Sequence, residues 1–109
     1  MTATIQSLGV AKRLFPLILS GEKTHTIRWR EGHIVPGPMQ VTCDGDEQST
    51  VMVTVLRCTE MPLRQAAAFV GKSDEWPDEI MLSGMREHYP DIELSSIVQV
   101  IEFAPPGLA

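Results

Sequence analysis

Eight residues, Gly21-Glu22-Lys23-Thr24-His25-Thr26-Ile27-Arg28, place a lysine, two threonines, a histidine and an arginine between the apolar run Leu14-Phe15-Pro16-Leu17-Ile18-Leu19 and Trp29. A threonine hydroxyl becomes a nucleophile when a neighbour takes its proton, and a neutral lysine is an established partner for serine or threonine in that role. Lys23 would then have to be neutral, which desolvation or a nearby cation such as Arg28 favours and an adjacent ionised carboxylate opposes. The blander roles stand beside these: Lys23 as a solvated loop residue, Thr26 as strand filler, Arg28 in a structural ion pair.

The elements that must hold these groups follow from residue type. Gly21 ends a helix, because glycine takes the left-handed conformation without steric cost, and the β-branched residues after it favour extended backbone. A strand starting near Thr24 has a side-chain period of two, so Thr24, Thr26 and Arg28 share one face while His25, Ile27 and Trp29 share the other. His25 is then a poor general base for Thr26 despite its proximity. His33 and His88 have no identifiable partner in the sequence.

A chain of 109 residues suits one domain with one core, residues 1–109, in which about 104–109 reads as a flexible tail. With 43% hydrophobic and 21% charged residues it has ordinary globular composition. Its net charge of -5 argues against a protein that grips long nucleic acid through phosphates, although Lys23, Arg28 and Arg30 concentrate positive charge locally. The two cysteines, Cys43 and Cys58, form no C-x-x-C pair and read as buried small hydrophobes in a reduced, cytoplasmic chain. No metal site, cofactor or membrane association is expected. Residues 1–5 lack the pattern of an export signal, and no apolar run approaches the roughly 20 residues that span a bilayer.

In chain order the patterns predict a strand over 4–10 and a short helix over 11–20, with two starts open, Ala11 or, because of Pro16, a position near Phe15. The strand at 24–29 follows, then a Pro-Gly-Pro loop at 36–38 and a strand over 39–43. Asp44-Gly45-Asp46 signals a hairpin into the run 50–58, which reads as a central strand buried fully on one face and partly on the other. Pro62 starts a helix that Gly71 ends, a second helix runs from Asp78 to His88, and the last strand covers 96–103. This order is α+β with mostly antiparallel pairing, a small, partly closed barrel plugged by helices.

The pattern Gly21-x-Lys23-x-x-Thr26-x-Arg28, with Ile18-Leu19-Ser20 before it and a Pro-Gly turn after it, resembles the ASCH domain, whose fold is a PUA-like β-barrel. The resemblance extends to Tyr89-Pro90 and Val100-Ile101-Glu102-Phe103. It is closest to the small bacterial N(4)-acetylcytidine amidohydrolases, which read Gly-x-Lys-Thr-x-Thr-Ile-Arg here, whereas many other ASCH domains carry glutamate at the position of Thr26.

That resemblance implies metal-free hydrolysis of the acetyl amide of N(4)-acetylcytidine to cytidine and acetate. It carries catalytic roles to Lys23, Thr26 and Glu75, with Asp74 the alternative to Glu75. Thr24, Arg28 and Trp76 are the expected substrate-binding residues, Trp76 by stacking on the base. Two mechanisms fit: attack by Thr26 with Lys23 as base, or attack by water activated by Glu75 while charged Lys23 and the Thr26 hydroxyl stabilise the oxyanion. The expected partner is a small nucleoside. RNA is the less favoured one, held by a non-catalytic module of the same fold, and a nuclease-like ASCH activity is a further alternative. A zinc deaminase is disfavoured, since its His-x-Glu and Pro-Cys-x-x-Cys signatures are missing.

Overall fold

The computed structural model describes residues 5–30 and 32–106. Five strands and three helices follow in the order β1 (Gln6–Val10), α1 (Phe15–Ser20), β2 (His25–Arg28), β3 (Gly37–Cys43), β4 (Asp46–Pro62), α2 (Leu63–Phe69), α3 (Asp78–Arg86) and β5 (Ile97–Ala104). The strands form one mixed sheet in the order β1-β3-β4-β5-β2, with β1 parallel to β3 and β3 antiparallel to β4. The chain is therefore α+β. Residue 4 of the expected first strand and residues 107–109 of the expected tail lie outside the described residues, and Ala104, expected in the tail, closes β5.

Local chemistry accounts for the elements. Pro16 occupies the first turn of α1, where its missing N–H costs no helical hydrogen bond. The hairpin turn is the two-residue Asp44-Gly45, with Gly45 at φ 83° and Cys43 paired to Asp46 across a register shift after Thr42. Strand β4 consequently starts at once after the turn and runs for 17 residues, well beyond the 50–58 expected. Pro62 precedes α2 in extended conformation. The N–H groups of Leu63 and Arg64 donate to the carbonyls of Ser96 and Leu94 at 2.9 and 3.0 Å, so first-turn donors that lack helical partners are satisfied by backbone. Helix α3 ends at Arg86 rather than His88, with Asp78 and Glu79 in its first turn and Arg86 in its last, the charge order that its dipole favours.

The described residues pack as two compact units. The first comprises the described residues of Met1–His25, His33–Cys58 and Ile101–Ala109, the second those of Thr26–Gly32 and Thr59–Val100. In the first, Leu8 and Val10 of β1, Phe15 and Ile18 of α1, Met39 and Val41 of β3, Val53 and Val55 of β4, and Ile101 and Phe103 of β5 form an apolar core. The register pairs Val41 with both Leu8 and Val51, and Met39 with Val53, so the inward residues of three neighbouring strands meet side by side. The opposite face of β4 is not partly buried as its composition suggests: Met52 and Leu56 are exposed, because no described helix or strand of this unit's core covers them. Gln6 ties β1 to the loop before β3 and to the start of β3, donating to the carbonyls of Val35 and Pro38 and accepting from the N–H of Val35.

The second unit has its own core of Met61, Leu63, Ala66, Met81, Ile92 and Val98 with their neighbours, against which Ile27, Trp29, Trp76 and Tyr89 pack. Arg86 fastens the end of α3 to the loop that follows, donating from Nε to the carbonyl of Ile92 at 3.0 Å while its Nη2 pairs with Glu93 at 3.2 Å. Among the described residues no helix is long and apolar enough to cross a membrane.

Candidate active site

Gly21 has φ 84° and bends the chain off the end of α1, its N–H donating to the carbonyl of Ile18 at 3.2 Å. The bend carries the backbone N–H of Lys23 back to the carbonyl of Leu17 at 3.0 Å. Lys23 is thus anchored by its own main chain to the helix end, and its residue is half-buried rather than free in a solvated loop. Thr24, also half-buried, gives its carbonyl to the N–H of Phe103 on β5 at 2.9 Å, which fixes the entry into β2.

On β2 the period of two acts as the sequence suggests. Thr26 is buried, 7% exposed, and Arg28 turns its side chain along the same face, where its Nε donates to Thr26 Oγ1 at 3.2 Å. The alternate residues Ile27 and, just past the strand, Trp29 pack into the core of the second unit. A hydroxyl offers two acceptor lone pairs and one donor. With Arg28 on one lone pair, the Thr26 hydroxyl keeps its proton for donation to a group other than Arg28, and a positive charge stands beside the oxygen. His25 is half-buried, and its Nε2 is sealed from solvent.

The carboxylate candidates lie in the tight connection after α2. The N–H groups of Glu75 and Trp76 donate to the carbonyl of Lys72 at 3.1 and 2.8 Å, while the N–H of Lys72 donates to the carbonyl of Ala67 at 2.7 Å. These bonds stack the connection on the helix end. The Glu75 side chain is 65% exposed and its Oε2 lies 3.4 Å from Lys72 Nζ; Asp74 is exposed as well. Trp76 is half-buried and packs against the second unit's core, so its ring has a structural role whatever else it touches.

Two contacts, the Lys72–Glu75 pair and the stacking of Arg30, are not legible in the sequence. Lys72 as the partner of Glu75 is signalled only by an i,i+3 spacing, which many unpaired surface residues share. The other is Arg30, whose guanidinium carbon lies 4.3 Å from the ring centroid of Trp29, which in turn meets Tyr89 edge to face at 6.0 Å. Adjacent Trp-Arg residues do not foretell that stacking. Among the described residues no three His, Cys, Asp or Glu side chains group as metal ligands.

No protein-family model matches the sequence, and no curated protein matches it. Solved structures do. The ASCH protein ZmASCH from Zymomonas mobilis, in two single-substitution variants, superposes with a TM-score of 0.67 at 10% identity, over 92% of this chain and 68% or 70% of the other. Protein EF3133 from Enterococcus faecalis, described by the family name DUF984, gives a TM-score of 0.65 at 15% identity, over 95% of this chain and 82% of the other. At such identities the likeness is one of backbone architecture, and on that basis the chain has the ASCH, PUA-like fold.

Proposed function

We propose that the chain is an amidohydrolase that removes the acetyl group from N(4)-acetylcytidine, with Lys23, Thr26 and Glu75 as its catalytic residues. The observation that carries this reading is the buried Thr26 hydroxyl, which accepts from Arg28 inside the Lys-x-x-Thr-x-Arg pattern. The ASCH fold is consistent with it, and fold alone does not establish chemistry.

The Arg28 contact favours the water mechanism over attack by threonine. A hydroxyl whose lone pair is engaged by a guanidinium is a weakened nucleophile in its neutral form and a strengthened donor. In this scheme Glu75 takes a proton from water as the water oxygen bonds to the acetyl carbonyl carbon. The oxyanion that forms is stabilised by charged Lys23 and by the Thr26 hydroxyl. Collapse breaks the bond to the exocyclic nitrogen, which receives the proton from Glu75, and acetate and cytidine leave. Arg28 acts by orienting Thr26, while Thr24 and Trp76 contribute to holding the nucleoside. The free thiols of Cys43 and Cys58 suit a reducing, cytoplasmic setting.

Incubation with N(4)-acetylcytidine in the presence of a chelator, following release of acetate, tests the reading. Turnover by the wild type that is lost in Lys23→Ala is expected. A wild type without turnover would overturn it, and salt-sensitive binding of RNA oligomers without hydrolysis would favour a binding module instead.

A further inference from the structure

Arg30 is the non-glycine residue with positive φ among the described residues, at 60°. Left-handed backbone is unfavourable for a residue with a side chain, and it persists where surrounding contacts over-determine it, often at ligand clamps. Here the surroundings are aromatic. The guanidinium lies over Trp29 at 4.3 Å, Trp29 meets Tyr89 at 6.0 Å with an interplanar angle of 85°, and both rings pack against the core of the second unit.

The consequence is a cation held flat on a fixed platform. One face of the guanidinium is covered by the indole, whereas its N–H edges meet no hydrogen-bond partner among the described residues, and Arg30 is exposed. Among the described residues no carboxylate pairs with it. A stacked guanidinium with open edges is the geometry that binds phosphate through two parallel hydrogen bonds. The location is also close in sequence: Arg30 follows Thr26 by four residues, so their Cα atoms lie at most about 14 Å apart and both groups belong to one short segment. In a chain of net charge -5, a phosphate requires such a local cation.

We infer that Arg30, seated on Trp29, is a phosphate-binding subsite, and that the ligand of this protein is a cytidine nucleotide rather than the bare nucleoside. The inference rests on the proposed N(4)-acetylcytidine reading for the identity of the base, and it adds the phosphate ester as the substrate class.

Calorimetric titration of the full chain with cytidine, cytidine 5′-monophosphate and a short single-stranded oligocytidylate tests it. The wild type binds the monophosphate at least about tenfold tighter than cytidine, the scale of a hydrogen bond to a charged group. In Arg30→Asn, a residue that tolerates left-handed backbone, the ratio of the two affinities falls to near one. In Arg30→Lys, which keeps the charge without the planar fork, part of the ratio survives. An oligomer that binds like the monophosphate identifies a free nucleotide as the ligand, and one that binds tighter identifies RNA; both require the subsite. A ratio near one in the wild type, a full ratio in Arg30→Asn, or no binding of either small ligand overturns it. If the monophosphate binds through Arg30 but its N(4)-acetyl derivative is not hydrolysed, the amidohydrolase reading fails and the phosphate subsite stands.

Discussion

Arg28 donates from Nε to the Oγ1 of Thr26, 3.2 Å away and two positions earlier on the same strand. The contact defines what the threonine can offer a ligand, since its oxygen is engaged by a cation and its proton is left to donate. In the proposed reaction it favours attack by water over attack by threonine.

Thr26→Val should lower kcat for N(4)-acetylcytidine by about 100-fold or more, the usual effect of removing one donor to an oxyanion, while Thr26→Ser stays within about tenfold of the wild type. Arg28→Met should behave between the two, because it loosens the hydroxyl without deleting it. Mass spectrometry of the protein quenched during a single turnover should show no acetyl adduct on Thr26. An adduct would establish threonine attack.

Glu75 and Asp74 are adjacent and exposed, yet Glu75 is the one paired with Lys72. Glu75→Gln should reduce kcat by about 100-fold, in the range of a lost general base, and Asp74→Asn should leave turnover within a factor of about three. The reverse ranking in steady-state kinetics would transfer the role to Asp74. Lys72→Met should alter turnover less than Glu75→Gln does, since an exposed ion pair contributes little by itself.

Gly21 and Gly45 have nearly the same φ, 84° and 83°, but different surroundings. A Cβ at Gly21 would sit 3.3 Å from the Cβ of Pro105, whereas one at Gly45 would meet nothing within 4 Å. Gly45→Ala should therefore cost about 1–2 kcal/mol of stability, the left-handed strain alone. Gly21→Ala should cost more, as strain plus crowding against a ring that cannot swing away. Urea midpoints of the two variants, compared with the wild type, give the difference directly.

Burial of the Cys58 thiol raises its pKa above the ordinary value. The folded state then holds the proton more tightly than the unfolded chain, so the associated stability is fully present below the unfolded value near pH 8.5 and is lost as pH rises through the folded one. Subtracting the urea midpoints of Cys58→Ala from those of the wild type across pH 7–10 should give a flat line that falls only at the alkaline end. At pH 8 iodoacetamide should alkylate Cys58 more slowly than free cysteine, because the thiolate is the reacting form.

Punctuating residues made much of the fold legible. Pro16, Gly21, Asp44-Gly45 and Pro62 each act through their own backbone geometry, so their effects are local and readable. The length of β4 was not, because Glu47, Gln48 and Ser49 have no strong strand preference and are drafted into the sheet by the tight turn before them. The outward exposure of Met52 and Leu56 was also hidden, since an apolar residue type does not tell which face of a strand is covered. At the site, the shared face of Thr26 and Arg28 followed from the strand period alone. The conformation of Arg30 could not be anticipated, because left-handed backbone is unfavourable for arginine and nothing in its residue type signals it.

Strand β2 is an edge of the sheet and its neighbour in the strand order is β5, and Thr24, just before β2, is bonded to Phe103. The strand that carries Thr26 and Arg28 is therefore synthesised about seventy residues before the strand that holds it. At a synthesis rate of roughly 5–20 residues per second, this leaves several seconds in which the nascent polypeptide carries the Lys-x-x-Thr-x-Arg segment without its partner strand. Whatever the segment does in the finished protein, it begins to do only after β5 has been made.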